Sequence, residues 1–192
     1  MIINIEKKIK IMYIKWGTTF ILEPGQSWKT AALIIPKCVC FFYIINIGDS
    51  MKEEKYIKLA IKEAKKAYKY GDIPVGCIII KNNKIISKAY NKKEKNQIAT
   101  YHAEILAINK ACKKLKTWHL DECILISTME PCEMCTGAII QSRIKNIIYL
   151  VSNENFGNIE KNQIFKNKKY KIKKIYNEEI INLLKKFFEK LR

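Results

Sequence analysis

The sequence predicts a three-layer αβα fold, in which a mixed sheet of about five strands carries helices on both faces. Three patterns predict it. Residues 53 to 70 place apolar side chains at helical spacing, and two β-rich runs then flank Asn82-Asn83. From residue 102 onward, helix-like and strand-like segments alternate, which is the pattern of a sheet covered on both sides.

Residues 1 to 50 stand apart from this plan. Their apolar run from Ala31 to Ile47 is broken by Pro36 and Lys37 and is short for a membrane span of about 20 residues. Three readings remain open for them: disorder, organelle targeting or a signal anchor, and a gene-model artefact with Met51 as the true start. No membrane association is expected. At 192 residues the chain is long enough for one domain with a sizeable core and too short for two comfortable ones, and residues 51 to 192 are expected to form that domain.

Within that domain, Ile57, Ala60, Ile61, Ala64, Ala67 and Tyr68 form one helical stripe with lysines opposite, and Gly71 is a helix stop. Pro74 to Lys81 and Lys84 to Tyr90 read as strands joined at Asn82-Asn83, residues that tolerate the positive φ of a tight hairpin. Asn91 ends the hairpin; a turn role is its default, although its amide could also hold a purine edge or a ribose. After the loop Lys92 to Thr100, the apolar positions Ile105, Leu106, Ile108, Ala111 and Leu115 put His102 at a helix start. Glu122 to Thr128 reads as a strand. Pro131 suits the first position of a helix starting at Cys132, and Asn146 to Val151 reads as a further strand. Residues Lys161 to Lys174 hold seven lysines with Phe165, Tyr170 and Ile172 among them. They read equally as a solvated strand and loop or as a surface for single-stranded RNA, where aromatics stack bases and lysines hold phosphates. Ile180, Ile181, Leu183, Leu184, Phe187, Phe188 and Leu191 form a last amphipathic helix, packed on the sheet or on a partner subunit.

The chemistry gathers in two short segments, His102-Ala103-Glu104 and Pro131-Cys132-Glu133-Met134-Cys135. Thiols three residues apart share a helix face, and the positive end of a helix favours their thiolate form. With one imidazole they supply three zinc ligands and leave a fourth tetrahedral position for water, whose pKa zinc can lower to roughly 7. Glu104 is placed to take that water's proton and pass it to a substrate. A C-x-x-C alone reads equally as half a structural zinc site or as a redox pair. A structural site, however, normally has a fourth protein ligand, and the candidates Cys77, Cys112, Cys123 and His119 are not paired at short ligand spacing.

H-x-E followed by P-C-x-x-C is the signature of zinc nucleobase deaminases. Together with "DIPVGCIII", "AYN", "ATYHAEILAI", "STMEPCEMCTGAI" and "SRIKNIIY", it makes the chain resemble the tRNA-specific adenosine deaminases, over about residues 53 to 160. That resemblance implies a cytidine-deaminase-like fold and conversion of adenosine to inosine at wobble position 34. It implies one zinc per catalytic subunit on His102, Cys132 and Cys135, with Glu104 catalytic and Asn91 and the backbone at Ala103 on the substrate. The implied partners are tRNA and a second subunit, either a homologous non-catalytic chain or another copy. The implied location is cytoplasm or nucleus. The "NENFG" at Asn153 to Gly157 is similar to the catalytic subunit of the eukaryotic heterodimeric enzyme. Asn153 stands where the bacterial form usually has Asp, Leu150 and Val151 replace small residues, and "NIEKNQ" lacks the glycine-rich continuation. The resemblance leaves a rival enzyme, a deaminase of a free cytosine or guanine compound, and a rival of another class, a silent RNA-binding partner subunit. Glu104 speaks against silence, since such partners lack that carboxylate.

Composition agrees without deciding. Hydrophobic residues make up 48% of the chain, enough for a globular core, and seven cysteines, an odd number, point to a reducing compartment rather than to disulfides. The formal charge of +18 suits a polyanion such as RNA. Yet all 36 basic residues except Arg143 and Arg192 are lysine, and a genome rich in A and T would produce that bias unaided.

Overall fold

The computed structural model describes residues 10–13, 19–22 and 47–191. The chain divides into two compact units, Met1–Ser50 and Met51–Arg192. In the first, β1 (Lys10–Tyr13) pairs antiparallel with β2 (Thr19–Leu22). The apolar run from Ala31, up to residue 46, lies outside the described residues, and so do the readings that rest on it. Among the described residues, no helix is long and apolar enough to cross a membrane.

Helix α1 (Ile47–Lys69) begins in the last residues of the first unit and lies otherwise in the second, which also holds β3 (Gly76–Lys81), β4 (Lys84–Tyr90), α2 (Lys93–Asn96), α3 (Ala103–Leu115), β5 (Ile124–Ser127), α4 (Glu133–Gln141), β6 (Asn146–Tyr149), β7 (Lys171–Lys174) and α5 (Glu178–Glu189). The five strands lie in the order β4-β3-β5-β6-β7. β3 runs antiparallel to both neighbours, whereas β5, β6 and β7 are mutually parallel, so the sheet is mixed as expected. Its two faces follow from the two-residue period of a strand. Cys77, Ile79, Leu125 and Ile147 pack with α3 and α4, around Ala103, Ala107, Ala111 and Ile139. Ile78, Ile80 and Ile126 face the other way, against Ile57, Ala60, Ile61 and Ala64 of α1 and Ile180 and Leu184 of α5. Three layers result. The last amphipathic run therefore packs on this chain's own sheet.

Local chemistry sets the boundaries. Gly71 ends α1 with φ +78°, and Asn82 and Asn83 turn the hairpin at φ 49° and 58°, the left-handed pair that a two-residue turn requires. α1 begins ahead of the expected residue 53; β4 has the expected bounds, whereas β3, β5 and β6 are shorter than their expected runs. The loop after Asn91 contains the short helix α2, whose Glu94 and Lys95 N–H groups donate to the carboxylate of fully buried Asp72. The lysine-rich stretch forms a 3-10 turn at Gln163–Lys166 and then β7. Pro131 lies outside its helix: Cys132 is the N-cap and Glu133 the first helical residue. Gly157 pairs with Cys132 and Asn158 N–H donates to the Pro131 carbonyl at 3.1 Å, which holds this segment extended.

Gly76 shows how closely α1 approaches the sheet. A Cβ there would run into Ala60 O and Ala64 N of the helix backbone, which cannot give way as a side-chain tip can. Gly76→Ala is expected to destabilise the chain by about 1–3 kcal/mol. Melting of the full chain would show it, at about 2–4 °C per kcal/mol; an unchanged Tm would contradict this packing.

Candidate metal centre and catalytic carboxylate

The sheet brings the site together at one end. Gly76 pairs with Tyr90 and Cys77 with Ser127, so the start of β3, the end of β4 and the end of β5 are neighbours. Asn91 follows β4 directly, and the Cys132 segment follows β5. In open sheets ligands bind outside the strand ends, where connections diverge. The N-termini of α3 and α4 meet at this end.

His102 is the N-cap of α3, with φ −70° and ψ 152°, and Cys132 is the N-cap of α4, with φ −74° and ψ 176°. Cys135 lies on the first turn of α4 and is fully buried. His102 Nδ1 is 3.6 Å from each of the two Sγ atoms, and the three ligand atoms all lie within 4.8 Å of one another. A tetrahedral zinc with Zn–S of about 2.3 Å and Zn–N of about 2.0–2.1 Å separates nitrogen from sulfur by about 3.5–3.6 Å. The donor set therefore fits that ion in kind and in spacing. It is the metal-type cluster found among the described residues, and Cys77, Cys112, Cys123 and His119 take no part in it. Cys77 and Cys123 are buried in the core, Cys112 is half-buried on α3, and exposed His119 faces Asp121 at 3.8 Å.

The electrostatics favour one thiolate before any cation arrives. The Cys132 thiol is lowered to about 4, chiefly by the hydrogen bond from Cys135 and with help from His102, while burial opposes the shift. Cys135 moves up, because it shares its proton with Cys132, is buried and lies near Glu104. His102 is also raised, first by its hydrogen bond to Cys132. A divalent cation would remove this conflict by stabilising both sulfurs as thiolates.

Glu104 is buried on the first turn of α3 and stays outside the ligand cluster. Its Oε2 is 3.6 Å from Cys135 Sγ, and its Oε1 accepts a 3.0 Å hydrogen bond from Ser127 Oγ. Burial raises its pKa, while the helix N-terminal backbone, the Ser127 hydroxyl and His102 pull the other way. A carboxyl raised by burial holds a proton more readily than a solvated one, which suits a group that must accept a proton and return it. Asn91 is buried; its N–H donates to Val75 O at 2.9 Å and its Nδ2 to Ile73 O at 3.4 Å. Its Oδ1 is buried without a partner among the described residues, an acceptor of the kind a ligand completes. Ala103 is fully buried as the first residue of α3, where backbone N–H groups have no partner inside the helix. Ser127 and Asp72 were not among the residues singled out from the sequence. Ser127 stands at the end of an apolar strand, and only the β3–β5 register reveals which way it faces.

Comparison with known proteins agrees with this geometry. Residues 50–151 match the cytidine and deoxycytidylate deaminase zinc-binding region. The chain is 40% identical to a tRNA-specific adenosine deaminase of Aquifex aeolicus over 149 residues, 74% of this chain and 97% of that protein. It is 37% identical to that of Bacillus subtilis over 147 residues, 73% of this chain and 91% of the relative. A structure from a study of A-to-I editing by tRNA:A34 deaminases at the wobble position of transfer RNA superposes with a TM-score of 0.62 at 26% identity, over 68% of this chain and 99% of the other. On identity and coverage together, this chain belongs to the tRNA-specific adenosine deaminases, within the wider cytidine and deoxycytidylate deaminase family.

Proposed function

We propose that the chain hydrolyses adenosine to inosine, releasing ammonia, at position 34 of a tRNA anticodon. The observation that carries this reading is the triad of His102 Nδ1, Cys132 Sγ and Cys135 Sγ with a buried carboxylate beside it and outside it, in a chain whose relatives are tRNA-specific adenosine deaminases. His102, Cys132 and Cys135 would hold zinc, which when bound lowers the pKa of a water to roughly 7. Glu104 takes one proton from the attacking water and gives it to N1 of the purine; it then takes the hydroxyl proton of the tetrahedral adduct at C6 and delivers it to the amine, which leaves as ammonia as the C6–N bond breaks and the C6 carbonyl forms. The Ser127 hydroxyl fixes one oxygen of Glu104, leaving the other for this transfer. Asn91 Oδ1 and the Ala103 N–H orient the base, which is cheap to extrude from a single-stranded loop.

The proposal includes a second deaminase-like subunit, a further copy or a homologous non-catalytic chain. One experiment separates these possibilities: incubate tRNA with the purified chain, with and without a co-expressed partner, and sequence it. An A read as G at position 34 is the expected result. Free cytidine, guanine and guanosine serve as comparison substrates, and turnover on them without tRNA editing would favour the rival enzyme. Asn91→Ala should retain zinc and lose about 10-fold or more in kcat/KM on tRNA, given the loss of a buried hydrogen bond; unchanged kinetics would remove Asn91 from the pocket.

A further inference from the structure

Glu130 has no part in the chemistry above, yet it is more completely hydrogen-bonded than any acid in the site. It is buried, two residues before Cys132. Its Oε1 accepts the backbone N–H groups of Ile159 at 3.1 Å and Glu160 at 3.2 Å, and its Oε2 accepts that of Asn153 at 3.1 Å. Among the described residues, no lysine or arginine is ion-paired with it, in a chain with 36 basic residues. Three oriented peptide dipoles hold the charge instead, as they do at anion-binding backbone nests.

The same segment is tied at four further points. Glu130 N–H donates to Val151 O at 2.7 Å, and Asn158 N–H donates to Pro131 O at 3.1 Å. Cys132 pairs with Gly157, and Asn158 Nδ2 donates to Thr136 Oγ1 on α4 at 2.9 Å. A Cβ on Gly157 would run into Glu130 Oε2 and Asn153 O, so the loop sits directly on the carboxylate. Phe156, next to Gly157, remains 73% exposed.

We propose that Glu130 is a positioning residue that locks the Asn153–Glu160 loop and the Cys132 turn into one rigid unit. Through that lock it holds Cys132 Sγ in metal-binding register and presents the Phe156 tip at the rim of the site. The inference rests on the metal-centre reading above, but not on the identity of the substrate.

The test is Glu130→Gln in the full, zinc-loaded chain. Glutamine keeps the volume but turns an NH₂ group against a backbone N–H, so at least one donor loses its acceptor. Zinc release to excess 4-(2-pyridylazo)resorcinol, measured well below Tm, is expected to be about 10-fold faster or more. On tRNA, kcat should fall by a similar factor. A purely structural role would lower Tm and leave zinc release and kcat within about twofold of wild type, and that outcome overturns the proposal. Should Glu130→Gln fail to fold, Asn158→Ala decides: it cuts only the side-chain tie to Thr136 and should speed zinc release by a smaller factor, and an unchanged rate counts against the lock. Wild-type protein that binds no zinc would sink the metal-centre reading and this inference together. Zinc-loaded wild type with unchanged variants would sink this inference alone.

Discussion

Glu104→Ala is expected to lower turnover on tRNA by a factor of about 10³ or more while zinc stays at about one per chain. A positioned general acid and base contributes about 10²–10⁴, and Glu104 would serve both strokes of the reaction. Zinc is retained because the three ligand atoms form their cluster without the Glu104 carboxylate. Alanine leaves the buried Ser127 hydroxyl without its partner, so some loss of stability accompanies the variant. Glu104→Gln is the control for that loss: it preserves the shape and the hydroxyl's acceptor but cannot carry the proton, and it should be equally inactive. Full activity in either variant would refute the assignment of Glu104.

Cys135→Ala is expected to remove both zinc and activity, whereas Cys112→Ser should lose neither. Cys135 is fully buried between Cys132 and Glu104, and its removal leaves two ligands for the ion. The protonation states give this prediction a second readout. Cys132, lowered to about 4, is already a thiolate at neutral pH, while Cys135 and His102 are both raised and hold their protons longer. Zinc requires all three deprotonated. Uptake at neutral pH should therefore release protons, and affinity should rise with pH and fall on acidification. Calorimetry in buffers of different ionisation enthalpy measures the release; zinc binding without proton release would mean that this triad is not the site. Chelation of the wild-type metal should lower Tm, because an ion bound only by the folded state stabilises it by mass action.

Much of this could be read along the chain because its signals are local. The stripe Ile57, Ala60, Ile61, Ala64 marks a helix whichever face of the sheet it covers, and Asn82-Asn83 marks a hairpin by its own backbone preference. The cluster of His102, Cys132 and Cys135, positioned to hold a metal ion, was legible because its members lie at short spacings on two helix starts. What stayed hidden depends on partners distant in sequence. Ser127 becomes an anchor for Glu104 only through the pairing of Cys77 with Ser127, and Asp72 a cap for α2 only because the hairpin returns beside it. Pro131 stands just ahead of the helix rather than in it, because Asn158 N–H takes its carbonyl and Gly157 pairs with Cys132. α2 has four residues, all polar, and so offers no apolar period to detect.

The lysine-rich stretch ends in the outermost strand. Lys171, Lys173 and Lys174 are exposed along β7, where Lys173 meets Glu53 at 2.6 Å and Lys174 meets Glu160 at 3.5 Å. Among the described residues no strand pairs with the far side of β7, and the peptide groups of such an edge are a template for unwanted polymerisation. A neighbouring molecule adding there in register would stack ammonium upon ammonium. Lysines on a sheet edge oppose such addition, and replacing Lys171, Lys173 and Lys174 by valine is expected to lower the concentration at which the chain precipitates.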